Sequence, residues 1–366
     1  VILDAGVAAR SLDELARLPP TPDLVGMNHY LTSDRHLDER LDLYPAGLAG
    51  GNGRDRYADV EAVRVRSAEG RTGPAARLRE LWERYRLPIA VTEAHHGCTR
   101  EEQMRWLLEV WQAAVAVRRE GADVRAVTAW ALFGAVDWNS LLTRRDGVYE
   151  PGAFDVWGTA PRLTALGRLI RDLATGRGAT HPVLGVPGWW RRPDRFYALR
   201  DRAVASAGDA RTQAKIVVSS GCGTFRAELG AVSQARGLAV VDHEPDAAIP
   251  ERDGSLRIAL LPRIDDLAVL VDEGCTAGQP VLAVVTGAAD QAALDRALAV
   301  CPSLLVVRVE LPFGRGLPLD LGPPGAAETD RLSPAYLPDL LHVALDLLLD
   351  GERGVWTLAN GTASRA

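Results

Sequence analysis

The chain has 366 residues, 47% of them hydrophobic and 25% charged, with a net charge of −6 at pH 7. At about 100 to 200 residues per domain this length predicts two or three domains with sizeable cores, and the composition excludes a disordered or fibrous chain. A mildly acidic balance without any basic block argues against a nucleic-acid partner.

In chain order, the apolar runs DLVGMNHY (23–30), LPIAVTE (87–93) and VRAVTAWALF (124–133) predict buried strands that end in polar residues. A helix over 73–86 precedes the second. TREEQMRWLLEVWQAAVAVRREG (99–121) combines a threonine cap, acids in the first turn, helical apolar spacing and a closing glycine, which predicts a long amphipathic helix. A third helix is expected over 160–174. Strand and helix alternate with polar residues at strand ends, the pattern of a (β/α) barrel whose chemistry sits at the carboxyl ends of its strands. Only about three of the eight units are visible, so the reading is a partial TIM barrel, about strands 6–8, completed by a segment upstream.

Eight of the nine tryptophans lie at or before Trp190, and GRGATHPVLGVPGWWRRPDR (176–195) is dense in Gly, Pro and Arg, the punctuation of a linker. Beyond it, AKIVVSSGCGTF (214–225), LAVVDHE (238–244) and the runs at 256–261, 280–285 and 303–309 alternate with helical stretches and predict an open, Rossmann-like parallel α/β domain. The expected division is residues 1–175, a linker over 176–210, and 211–366. Cys98, Cys222, Cys275 and Cys301 lie far apart with no CxxC, which predicts reduced thiols. No apolar run is long enough for a membrane span and the first residues lack a basic start, so neither a span nor a signal peptide is read and a soluble cytoplasmic protein is expected.

Glu93 closes the strand LPIAVTE, and a carboxylate there is costly to bury unless hydrogen-bonded or used. Taken alone it is either an exposed acid at a loop start or a catalytic carboxylate, such as the nucleophile of retaining sugar hydrolysis. The segments DLVGMNHYLTS, IAVTEAHHG and AVTAWALFGAVDW resemble, in order and spacing, the sixth, seventh and eighth strands of family 1 glycoside hydrolases. The resemblance covers about residues 1 to 175 and implies that Glu93 is the nucleophile and Tyr30 its hydrogen-bonding partner. It also implies that Asn28, Trp130, Asp137 and Trp138 contact the sugar, and that no cofactor or metal is needed. The types are apt, because an indole face packs on a sugar's C–H face and a carboxylate accepts paired hydroxyl bonds. The sequence departs from the family at Ala94, where Asn is usual, at His29, where Tyr is usual, and at Asp137, where Glu is usual. The family's acid/base lies on an earlier strand. Within this chain, Glu109, Glu120 and Glu150 are the first carboxylates to consider for a partner. Trp82, Trp106 and Trp111, at helical spacing, read as core. His95, His96 and Cys98 lack a fourth ligand and helical spacing, so they read as loop residues along a cleft rather than a zinc site.

In the second half, SSGCGTFR follows a strand, but the three positions of a dinucleotide loop fall on Ser220, Gly223 and Arg226, so only the middle glycine is present. LLVVRVELPFG (304–314) and the stretch from Tyr336 to Gly361 resemble the end of dTDP-4-dehydrorhamnose reductases, which implies a nucleotide-sugar reductase fold. That family's Tyr and Lys lie four residues apart. Here Tyr336 and the single lysine, Lys215, are 121 residues apart, so the domain is expected to be degenerate and to bind NAD(P) weakly or not at all. The leading reading is a carbohydrate-active retaining glycosidase. The alternatives are an NAD(P)-dependent nucleotide-sugar reductase and a non-catalytic sugar-binding protein.

Overall fold

A computed structural model describes residues 3–18, 22–140, 143–158, 160–197, 215–220, 223–242, 256–261, 280–286, 291–309, 311–313, 334–359 and 362–365. It is a mixed α/β fold with parallel sheets. After α1 (Ala9–Arg17) comes β1 (Val25–Asn28), then β2 (Arg35–Asp38), β3 (Ala49–Gly51) and β4 (Arg56–Glu61), which form a small antiparallel sheet in the order β2-β4-β3. The next elements are α2 (Pro74–Tyr85), β5 (Ile89–Ala94), α3 (Arg100–Arg119) and β6 (Val124–Ala129). β1, β5 and β6 pair in parallel in that order. Pro74 opens α2, where its missing N–H and fixed φ cost nothing. Because strand side chains alternate, Ile89 and Val91 are buried in the core that includes Leu78 of α2 and Met104 and Leu107 of α3. Asn28, Thr92 and Thr128 lie exposed instead.

α3 begins as the sequence predicts, but its first turn is buried rather than solvated. Thr99 makes no side-chain cap; its hydroxyl donates to Glu101 Oε1 at 2.6 Å. Beyond β6 come the hairpin β7 (Ala135–Val136) with β8 (Tyr149–Glu150), then β9 (Phe154–Asp155), β10 (Arg162–Leu163) and α4 (Ala165–Ala174). The helix expected from 160 therefore starts at Ala165, because Arg162 and Leu163 pair antiparallel with β9 and Thr164 Oγ1 accepts from Gly167 N at 3.2 Å as the cap.

The predicted linker is packed structure as far as it is described, to Tyr197. Short 3₁₀ turns run over Pro182–Gly185, Trp189–Arg191 and Pro193–Arg195. Trp190 is 1% exposed, stacks edge-on against Trp106 at 5.5 Å and donates its indole N–H to Glu109 at 2.7 Å. Gly and Pro density signals an irregular backbone, which need not be an exposed one. Residues 198–210 lie outside the described residues.

The second half continues with β11 (Lys215–Ser220), α5 (Gly223–Ala235), β12 (Ala239–Asp242), β13 (Leu256–Leu261), β14 (Val281–Thr286), α6 (Gln291–Val300) and β15 (Leu304–Val309). Then come β16 (Leu311–Phe313), β17 (Pro334–Tyr336), α7 (Leu337–Leu349), β18 (Gly354–Ala359) and β19 (Thr362–Arg365). The sheet order is β12-β11-β13-β14-β15-β18-β19, parallel except for β19. Among the described strands this is the 2-1-3-4-5 order of flavodoxin-like doubly wound folds, in place of the 3-2-1-4-5-6 order of a Rossmann fold. On α5, Phe225, Leu229 and Val232 are buried in the core. One buried cluster contains Val91, Trp106, Ile216, Leu229 and Leu345 alike, so the two halves share a core.

Cys98 is free, whereas Cys301 is disulfide-bonded. The reading of uniformly reduced thiols is thereby corrected: sequence separation does not measure distance in the fold. Among the described residues no helix is long and apolar enough to cross a membrane.

Candidate active site

The carboxyl ends of β1 and β5 lie side by side, and Asn28 registers with Glu93 across a bulge. That register brings the side chains beyond it together. The Tyr30 hydroxyl donates to Glu93 Oε2. Burial and the adjacent carboxylate raise Tyr30 to about 12, so the phenol keeps its proton and its role as donor through the neutral range. Thr92, one residue before, donates its hydroxyl to Asn28 Oδ1, which leaves the Asn28 amide N–H₂ as that side chain's remaining polar group.

β6 delivers the aromatic pair. Trp130 follows its last residue and is anchored by Trp130 N to Ala94 O at 3.1 Å. Its ring lies 5.5 Å from that of Trp138 at 35°. Trp138 is 38% exposed, and the buried Trp130 Nε1 has no partner among the described residues. Asp137 is placed differently from its two neighbours in the motif. It is 7% exposed, its backbone sits at φ 57°, its Oδ1 accepts from Val148 N at 2.9 Å and its own N–H donates to Val148 O at 2.7 Å. One carboxylate oxygen is thus committed to the loop that joins β7 to β8.

His95 and Glu150 pair beside these groups. His95 Nδ1 lies 3.1 Å from Trp130 O, and a carbonyl only accepts, so Nδ1 carries hydrogen. His95 Nε2 lies 2.8 Å from Glu150 Oε2. The two ring nitrogens of His95 thus link the Trp130 carbonyl to the Glu150 carboxyl. The adjacent histidines were visible in the sequence, but Glu150 arrives from β8, 55 residues away, and nothing local announces it. His96 turns to a separate partner, accepting from Trp189 Nε1 at 3.0 Å, and burial lowers it to about 4. Among the described residues no group of three or more His, Cys, Asp or Glu is placed to hold a metal. Glu109 is taken by Trp190 and Arg191, and Glu120 by Arg79 at the end of α3, so Glu150 is the one of the three candidate carboxylates that approaches the strand-end residues.

No protein-family model matches the sequence, and no curated protein matches it either. Among solved structures, a β-glycosidase from the hyperthermophile Thermosphaera aggregans is similar at 20% identity with a TM-score of 0.26, over 30% of this chain and 22% of that one. The chain therefore spans about a fifth of that protein's length. A flavo di-iron protein variant from Thermotoga maritima is similar at 8% identity with a TM-score of 0.23, over 68% of this chain and 48% of that one.

Proposed function

We propose that this chain belongs to a retaining glycoside hydrolase, with residues 1–175 forming the strand 6–8 portion of a (β/α) barrel and residues 211–366 a flavodoxin-like, doubly wound α/β unit. Glu93 attacks the anomeric carbon and forms a covalent glycosyl–enzyme that water then releases. Tyr30 orients the attacking oxygen, Trp130 and Trp138 offer ring faces to the sugar, Asn28 binds its hydroxyls, and Asp137 holds the turn that carries Trp138. The observation that carries this reading is the Tyr30–Glu93 hydrogen bond at the carboxyl ends of adjacent parallel strands. Glycosides whose leaving group departs unprotonated bypass the general acid, which typically contributes about 10² to 10⁴ in rate. The protein is therefore incubated with a panel of 2,4-dinitrophenyl 2-deoxy-2-fluoroglycosides and analysed by mass spectrometry. A single adduct mapping to Glu93, absent in Glu93→Gln, is expected. No adduct from any sugar, or one on another residue, rejects the nucleophile. The nucleotide-sugar reductase alternative lacks a Tyr and Lys four residues apart anywhere in the sequence.

A further inference from the structure

A cavity of about 430 Å³ lies where the loop after β8 meets α7 and β18. It shares no lining residue with the Tyr30–Glu93 site. Volumes of about 300 to 1,000 Å³ are typical of small-molecule sites, which are mostly apolar with a few convergent polar groups. One wall is aromatic: the rings of Tyr149 and Trp157 lie 5.0 Å apart at 34°, and Trp157 is 55% exposed. The facing wall is α7, which contributes Asp339, Val343 and Asp346, spaced i, i+4 and i+7 on one helix face.

The polar lining selects the ligand. Its two cations are both ion-paired with Asp350. Arg162 binds Asp350 at 2.6 Å and Asp155 at 2.8 Å; Arg100 binds Asp350 at 3.0 Å and Gln103 at 2.9 Å. Asp155 is likewise taken, by Arg162, Tyr149 and Trp157 N. Asp346 gives one oxygen to Arg236 at 2.7 Å and keeps the other free among the described residues, while Asp339 makes no hydrogen bond or ion pair among them. What remains unpaired is the Asp339 carboxylate and one acceptor oxygen of the Arg236-paired Asp346, beside aromatic faces that attract cations. Phosphates, nucleotides and carboxylates are therefore disfavoured.

We propose that this cavity binds an organic cation with a flat aromatic body, the ring against Tyr149 and Trp157 and the ammonium toward Asp339 and Asp346. The site is separate from the proposed sugar chemistry, so its test does not depend on hydrolysis. Calorimetric titration of the full chain uses three probes of one shape and different charge: tryptamine, tryptophol and indole-3-acetate. Tryptamine is expected to saturate one site at least tenfold more tightly than tryptophol, with no binding of indole-3-acetate. Asp339→Asn, at an exposed position, is expected to weaken tryptamine about tenfold, Val343→Trp to abolish binding by filling the cavity, and Glu93→Gln to leave it unchanged. Absence of saturable tryptamine binding, equal binding of tryptophol or indole-3-acetate, or binding indifferent to Asp339→Asn overturns the proposal.

Discussion

The carboxylate of Glu101, in the first turn of α3, receives Arg236 Nε at 3.0 Å and Nη2 at 2.6 Å in a two-pronged pair whose side chains are 0% and 1% exposed. Arg236 follows α5, so the pair joins the two halves of the chain. The same guanidinium reaches Asp346 of α7. Removing one partner of a buried pair strands the other charge without water, which costs more than the pair itself contributes. Arg236→Met keeps the apolar stem and should destabilise the protein by about 3–5 kcal/mol in urea-unfolding measurements at pH 7. A loss below about 1 kcal/mol, the range of exposed pairs, would mean that water reaches Glu101.

Tyr30→Phe removes the donor to Glu93 and little volume. A hydrogen bond to a charged group contributes about 1.5–3 kcal/mol, so turnover of an activated glycoside should fall roughly 10- to 150-fold with unfolding unchanged. The variant should also lack the tyrosinate absorbance that wild-type Tyr30 develops near pH 12. Spectrophotometric titration of both proteins checks this, and equal turnover would remove Tyr30 from the site.

What the sequence disclosed and what it concealed separate along physical lines. A largely apolar run such as Leu304–Val309 is legible because a strand buried on both faces favours that composition. Glu93 and Tyr30 were placeable because the ends of neighbouring parallel strands must be neighbours. The partners of Arg100 and Arg162 were not legible. Both converge on Asp350, close to 190 residues from Arg162 in the chain, and an arginine in a sequence reads as surface until its acid is seen. The burial of Trp190 was not legible either, since the Gly and Pro around it speak of backbone shape and not of exposure.

His96 supplies a pH dependence. It titrates near the usual 6.5 when unfolded and near 4 when folded, chiefly because of burial. Between those values the unfolded chain binds more protons, so this group's contribution is flat above pH 6.5 and stability falls as pH drops from 6.5 to 4. At about 1.4 kcal/mol per unit, and allowing for partial exposure, the loss is about 2–3 kcal/mol. His96→Gln can still accept from Trp189 but does not titrate. The stability gap between wild type and variant, measured in urea at pH 7.5, 5.5 and 4.5, should shift by that amount toward the variant. A constant gap would place the imidazole in water.

Asp137 occupies the left-handed region at φ 57° and caps Val148 through its carboxylate. Asparagine tolerates that backbone and offers an amide oxygen in the same position, whereas alanine does neither. Asp137→Asn should therefore stay within about 0.5 kcal/mol of wild type. Asp137→Ala should lose about 2 kcal/mol, from a strained φ of about 1 kcal/mol and a lost hydrogen bond of about 1 kcal/mol. The activity consequence passes through the next residue, because a loosened turn lets the Trp138 ring leave its contact with Trp130. KM for an activated glycoside should rise in Asp137→Ala and change less than about twofold in Asp137→Asn. If the asparagine variant shows the larger KM while keeping full stability, the charge of Asp137 itself holds the sugar through the oxygen that Val148 does not use.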